Sequence, residues 1–326
     1  MQAPVAYHPL HLDSLVLDTV LSFNLYTRVA ESYVLFRGHD LEFNQRHRDS
    51  LVLNGIHTLY VSSGDEGEYG RYVEENIGRL AADPAVPNKK RAELLYSVSK
   101  GILLDAFANP RSADIVKRTE SVMPHLVDNL VDGRDSLGNM ISIMSHDYYT
   151  FTHSINVCTF TVALASNAGV SSRQELYDLA TGALLHDIGK SEIPKEILNK
   201  NGRLTDEEME LMKSHVIRGE KILEGKSGMT LNRMLPVSLH HERLSGKGYP
   251  RALVGQQQIH LHGRMTAIAD CFDAMTTNRP YARAMDAFEA AQRMKEHLRG
   301  DFDPELLAAF IGLLGKAGQG SGGKHS

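Results

Sequence analysis

A mainly α-helical chain is expected, with a C-terminal all-helical bundle that carries a metal site and a smaller mixed α/β domain ahead of it. Three observations predict this class. From Lys89 onward, apolar residues recur at helical spacing almost without a break. Before Asp83, short runs rich in aromatic and β-branched residues alternate with helical stretches. Histidines and aspartates on inward-reading helices belong to the second part, and no chemical motif precedes Asp83.

In chain order, Phe23 to Phe36 and His57 to Val61 read as strands. Arg46 to Leu53 reads as a helix stopped at Gly55, and Tyr69 to Ala81 as another, after the turn Ser62-Ser63-Gly64-Asp65. Asp83-Pro84-Ala85-Val86-Pro87-Asn88 breaks the pattern and marks a boundary. Residues 1–85 then form an N-terminal α/β module, expected to be regulatory, and 86–135 a helical linker with amphipathic runs from Lys90 to Phe107 and Ala113 to Val131. Residues 136–314 form the metal-site domain, and the Gly/Ser-rich 315–326 read as a disordered tail. Two helix starts carry a capping-box signature, Ser172 with Glu175 and Thr205 with Glu208.

The 326 residues are 42% apolar and 23% charged, the balance of a globular protein with a full core. A formal net charge of -5 gives no broad basic field, which argues against long nucleic acid as a partner. A small nucleotide needs only a local cationic pocket. Cys158 and Cys271 lie far apart, in no C-x-x-C pair, and read as core thiols in a reducing compartment. No segment approaches about 18 uninterrupted apolar residues, and the N-terminus has no leader pattern. No membrane span is expected, and the chain reads as cytoplasmic.

The chemistry is carried by histidine and aspartate. In Leu184-Leu185-His186-Asp187-Ile188-Gly189-Lys190 an imidazole and a carboxylate stand together at the end of an apolar helix, where Gly189 lets the chain turn. Burying both is costly unless something compensates, and a metal ion does so. His153 shares a helical face with Val157, Phe160 and Leu164, so its ring points to the core. His215 rides the Thr205-capped helix, His240 and His241 follow, and Asp270 shares a face with Asp273 in the apolar helix from Arg264 to Met275. Each alone reads as an ordinary core or surface residue. Together, His153, His186, Asp187, His215, His240, His241 and Asp270 exceed what one ion uses, and fit two metals bridged by a carboxylate and a water. Mixed imidazole and carboxylate donors suit iron, manganese or zinc better than magnesium, and the lack of a cysteine ligand argues against structural zinc.

This ordered series closely resembles that of the HD-GYP family. The stretch His240-His241-Glu242-Arg243-Leu244-Ser245-Gly246-Lys247-Gly248-Tyr249-Pro250 is similar to the family signature, and Arg264, Asp270, Asp273, Ala274 and Arg279-Pro280-Tyr281 follow it. The likeness runs from about Asp147 to about Leu314. It implies an HD-type helical bundle and a phosphodiesterase that opens cyclic di-GMP to pGpG, then GMP, by attack of a metal-bridging hydroxide on phosphorus. It also implies two divalent ions per chain, iron with manganese as the alternative, held by the seven residues above with Asp187 as the bridge.

Further roles follow from the same resemblance. Lys190 would hold a phosphate oxygen, and Arg279, Asp147 and Tyr281 would contact substrate. Asp273 or Asp147 would orient the water or take its proton, and Glu242 would support a ligand histidine. The loop with Gly248, Tyr249 and Pro250 would shape the site or dock a partner such as a GGDEF-domain diguanylate cyclase. Tyr149 stands where members with a third metal carry glutamate, so two ions are expected. Ser245 and Ala282 also depart from the family pattern. They motivate an alternative: a scaffold that binds metal and nucleotide, turns over slowly and signals through its GYP loop.

Overall fold

The computed structural model describes residues 5–133, 135–144, 150–278 and 283–321. The chain divides into two compact units, Met1–Val98 and Ser99–Ser326. The division falls inside a helix, Asn88–Ala108.

In the N-terminal unit, β1 (Tyr7–His11), β3 (Leu25–Val29), β4 (Ser32–Arg37) and β6 (Thr58–Ser62) form an antiparallel sheet in the order β1-β6-β3-β4. A small second sheet pairs β2 (Thr19–Val20) with β5 (Glu42–Phe43). Strand alternation sorts the side chains. Leu10, Leu25, Leu59 and Val61 are buried, while Tyr7, Tyr26, Tyr33 and Tyr60 form a ring-to-ring cluster on the other face. Helix α1 (Gln45–Leu53) starts at a capping box between Asn44 and His47, and α2 (Glu66–Ala82) buries Tyr72, Val73, Ile77 and Leu80. Both helices fall where the sequence predicts them.

The C-terminal unit is helical, as expected. Helix α3 (Asn88–Ala108) leads into it, followed by α4 (Ile115–Asp132), α5 (Ser136–Ile143), α6 (Thr150–Asn167) and α7 (Arg173–Leu185). Then come α8 (Lys195–Leu198), α9 (Asp206–Lys213), α10 (His215–Leu223), α11 (Leu231–Leu239), α12 (Gly255–Gln258), α13 (Leu261–Thr276), α14 (Ala287–Glu296) and α15 (Pro304–Ser321). Helix α6 is the axis: every residue from Thr152 to Val162 is buried, and α7 and α13 pack on its flanks. Phe160, Phe272 and Phe310 meet edge to face, and each such pair adds about 0.5–1.5 kcal/mol beyond its buried area. Burial pushes the Cys158 thiol up to about 12, so it stays protonated and inert.

Two local expectations are corrected. The Thr205–Glu208 capping box forms in full, but at Ser172 only half of it does. The Glu175 carboxylate instead takes the buried His262 ring, at 3.1 Å. Helix α15 runs to Ser321, so residues 315–321 are helical rather than part of a disordered tail. A helix already nucleated over an apolar run extends at the cost of fixing one residue per added hydrogen bond. Among the described residues, no helix is long and apolar enough to cross a membrane.

Candidate metal centre

Helix α7 ends at Leu185 and leaves His186 at its C-cap, with Asp187 opening a 3-10 turn, Ile188–Glu192. Gly189 makes this geometry possible. A Cβ there would lie 1.9 Å from the His215 carbonyl oxygen, so only glycine lets the turn press against α10. That contact sets Asp187 beside His215. His153 comes from the first turn of α6, Asp270 from α13, and His240 and His241 from the end of α11. All seven predicted ligand residues gather in two adjacent groups: Asp187, His215, His240 and His241, and then His153, His186 and Asp270. All are buried except the half-buried His241.

Whether these residues fit a cation can be decided from their protons. Nδ1 of His186, His215 and His240 lies 2.7, 2.7 and 2.9 Å from the carbonyl oxygens of Ala183, Met212 and Pro236. A carbonyl only accepts, so each Nδ1 carries the proton and each Nε2 presents a lone pair. His153 donates from Nδ1 to Asp273 Oδ2 at 2.7 Å, with the same result. Yet Nε2 of His215 and Nε2 of His240 are 3.3 Å apart, and Nε2 of His153 is 3.1 Å from Asp270 Oδ1. Lone pairs face lone pairs. Among the described residues, His186 Nε2 and Asp187 Oδ1 are buried without hydrogen-bond partners. A set of acceptors turned on one another inside a protein fits positive charge, and imidazole with carboxylate is the donor chemistry of a transition metal.

The electrostatics agree. Burial alone would raise the Asp187 carboxyl, but Lys190 and His186 hold it well below the usual carboxylate range. Asp270 is also driven well down against its burial, by its contact with the His153 imidazole and the nearness of His241. Burial, then the neighbouring imidazoles, push His240 and His241 far below the ordinary histidine value. Neutral imidazoles and ionised carboxylates are the forms that bind metal.

Around this set the structure reassigns several residues. Asp273 accepts from His153 at Oδ2 and from Asn156 Nδ2 at Oδ1, 2.9 Å away, so it orients a histidine of the set. Asn156 was missed by the sequence reading; its signal is its place three residues after His153 on an inward helix. Among the described residues, Glu242 makes no hydrogen bond to a histidine. Its carboxylate takes the backbone N–H of Arg251 and of Leu253, at 2.8 and 2.9 Å, and so clamps the loop 243–254. Within that loop Tyr249 is half-buried, its ring stacked on His241 at 4.5 Å, and its N–H bonded to the His241 carbonyl. Lys190 Nζ lies 2.5 Å from Asp187 Oδ2. Asp147, Arg279, Tyr281, Tyr149 and Ala282 lie outside the described residues.

Comparison with known proteins gives this arrangement its family. Residues 140–306 match the HD domain family. The chain belongs to the HD domain family. A cyclic di-GMP phosphodiesterase of Pseudomonas aeruginosa is 33% identical to it over 231 residues, 69% of this chain and 54% of that protein. A 3'3'-cGAMP-specific phosphodiesterase of Vibrio cholerae is 40% identical over half of this chain and 35% of its own length. A cyclic di-GMP phosphodiesterase of Thermotoga maritima is 38% identical, covering 54% of this chain and 47% of the relative. This HD domain chain thus spans about half or less of the length of the curated relatives it matches. An HDG"Y"P protein from Bdellovibrio bacteriovorus shares the fold, with a TM-score of 0.67 at 20% identity over 95% of this chain and 100% of that one. The resemblance to HD-GYP proteins read from the sequence is borne out at the level of family and fold.

Proposed function

We propose that this HD domain protein is a metal-dependent phosphodiesterase that hydrolyses cyclic di-GMP to pGpG and then GMP. The observation that carries the reading is the Asp187 carboxylate. Its Oδ1 is 3.2 Å from His215 Nε2 and 3.8 Å from His240 Nε2, and its Oδ2 is 3.3 Å from His186 Nε2 and 3.6 Å from His153 Nε2. One carboxylate thus faces donors of both groups, which suits two divalent ions with Asp187 between them, iron with manganese as the alternative. Bound there, such ions supply Lewis acidity toward a phosphoryl oxygen and make water more acidic.

The chain's own residues do the rest. Four histidines are locked by Nδ1 bonds with their lone pairs inward, and Asp273 with Asn156 fixes the orientation of His153. Lys190, next to Asp187, would steady a phosphate oxygen, and Arg279, Asp147 and Tyr281 would contact the nucleotide. The loop at Gly248, Tyr249 and Pro250, with Lys247 exposed beside it, would be the docking element for a GGDEF-domain diguanylate cyclase. Cys158 and Cys271, far apart in the chain and in no C-x-x-C pair, suit a cytoplasmic setting.

The relatives support a cyclic dinucleotide as substrate, and their names favour turnover over the scaffold alternative. Because one of those cited is specific for 3'3'-cGAMP, both nucleotides belong in one assay. Protein purified anaerobically with iron or manganese is expected to convert cyclic di-GMP to pGpG and GMP, while Asp187→Ala does not. Metal binding without turnover on either nucleotide would favour the scaffold; no bound metal would overturn the reading.

A further inference from the structure

We propose that the C-terminal unit contains an effector site for a small amphiphile bearing an uncharged O–H or N–H donor, in a cavity behind the metal centre. The cavity holds about 470 Å³, inside the range of about 300–1,000 Å³ usual for small-molecule sites. Its walls come from α5, α6, α13 and α15 and the chain before α14, and Ile141, Met144, Phe160, Phe272, Met285 and Leu314 make them largely apolar. Asn156 and Asp273 supply a polar end.

That end is incomplete. Asn156 is 2% exposed, its Nδ2 donates to Asp273 Oδ1, and its Oδ1 has no hydrogen-bond partner among the described residues. The amide orientation is fixed by chemistry, because the reverse would set its oxygen against a carboxylate. Buried acceptors without partners are rare, and this one belongs to a residue that lines a cavity. The missing complement is a hydrogen-bond donor on an apolar body. An anionic head is disfavoured, since it would meet both the amide oxygen and the Asp273 carboxylate.

The same contact ties the cavity to the metal centre. A donor on Asn156 Oδ1 polarises the amide and strengthens its N–H bond to Asp273, whose other oxygen holds His153 Nδ1 at 2.7 Å. Occupancy is then felt as tighter metal binding. This coupling rests on the proposed metal reading; the cavity site does not.

The test uses the full chain, stripped of metal, with 1-octanol, methyl octyl ether (the same body without a donor) and octanoate. Octanol is expected to raise the unfolding midpoint of the C-terminal unit by about 3 °C near saturation, and the other two by much less. Ile141→Trp, or Leu314→Phe should the first misfold, fills the cavity away from the metal residues and is expected to abolish the shift while Mn²⁺ still binds. Equal shifts from all three compounds, or an undiminished shift in a folded filled variant, would overturn the site. In wild type, Mn²⁺ affinity is expected to rise about threefold with octanol; an unchanged affinity beside retained octanol binding overturns the coupling alone. Failure of Mn²⁺ to bind at all would sink the metal reading, and the octanol shifts would then decide the cavity site by themselves.

Discussion

Apart from tyrosine hydroxyls, the described residues of the N-terminal unit bury only Ser14 and Thr27 as polar side chains, and no charged one. The C-terminal unit buries His153, His186, His215, His240 and His262, with Asp178, Asp187, Asp270, Asp273, Asp303, Arg233 and Glu242. Part of that polarity is settled internally. Arg233 Nε meets Asp178 at 2.7 Å, Arg264 meets Asp303, and Glu242 holds backbone N–H groups. The imidazole–carboxylate cluster is not settled, because its lone pairs converge. The contrast teaches that collapse of apolar surface completes the first unit, whereas the second keeps a buried polar cluster that such collapse does not satisfy.

The strongest way to break this comparison is at Asp187. Asp187→Ala is expected to lower cyclic di-GMP turnover by at least about a thousandfold, equivalent to about 4 kcal/mol, with hydrogen exchange in residues 5–87 unchanged. Activity near wild type would mean that the cluster is not the reaction centre. Stripping the metal should come next in size. The unfolding midpoint of the C-terminal unit should fall on the order of 10 °C, and that of the N-terminal unit should stay put, as read by hydrogen exchange on heating. Equal shifts in both units would dissolve the distinction. One layer outward, Asp273→Asn and Asn156→Ala should each weaken Mn²⁺ binding by about 10- to 100-fold in a titration, since they loosen His153 without removing it. Wild-type affinity in both variants would show that the ring holds its orientation unaided.

A smaller effect is expected from pH, with opposite sign in the two units. In metal-free protein His240 and His241 have lowered folded values and Asp187 and Asp270 depressed ones. The unfolded chain therefore takes up more protons as pH falls below about 6.5, and again below about 4, so the C-terminal unit loses stability on acidification. In the N-terminal unit, burial pushes the Tyr69 phenol up to about 12, with its hydroxyl on Ser14 Oγ at 2.7 Å. A raised folded value gives stability that is complete below about pH 10 and is lost as pH climbs toward 12, roughly 2–3 kcal/mol in all. Denaturant titrations at pH 5 and pH 11, resolved by unit, check both signs; a Tyr69→Phe variant should flatten the alkaline limb. An unchanged alkaline limb in that variant would assign the loss to other groups.

What the sequence made legible was local. His186-Asp187 and the His240-to-Pro250 stretch are contiguous, so their types and order are visible without a structure, and the helical period carried His153 and Asp270 inward. What stayed hidden depends on contacts between distant segments. Asp273 reaches His153 across 120 positions and Asn156 across 117, so neither the hold of Asp273 on the ring nor the bond from Asn156 to Asp273 has a local signature in the sequence. Glu242 was hidden for a different reason. Its partners are backbone N–H groups, which every non-proline residue has and which therefore leave no mark in the sequence. The reach of α15 was misread because glycine content describes an isolated segment, not one continuing an existing helix.

The clamp at Glu242 has a mechanical side. The loop is fastened at both shoulders of the carboxylate and again at the His241 carbonyl, while the Tyr249 ring lies flat on the His241 ring. Loop and histidine are therefore tied together by hydrogen bonds and a stacked ring. A contact at the exposed tip around Lys247 would thus reach an imidazole of the cluster through these bonds and the stacked ring.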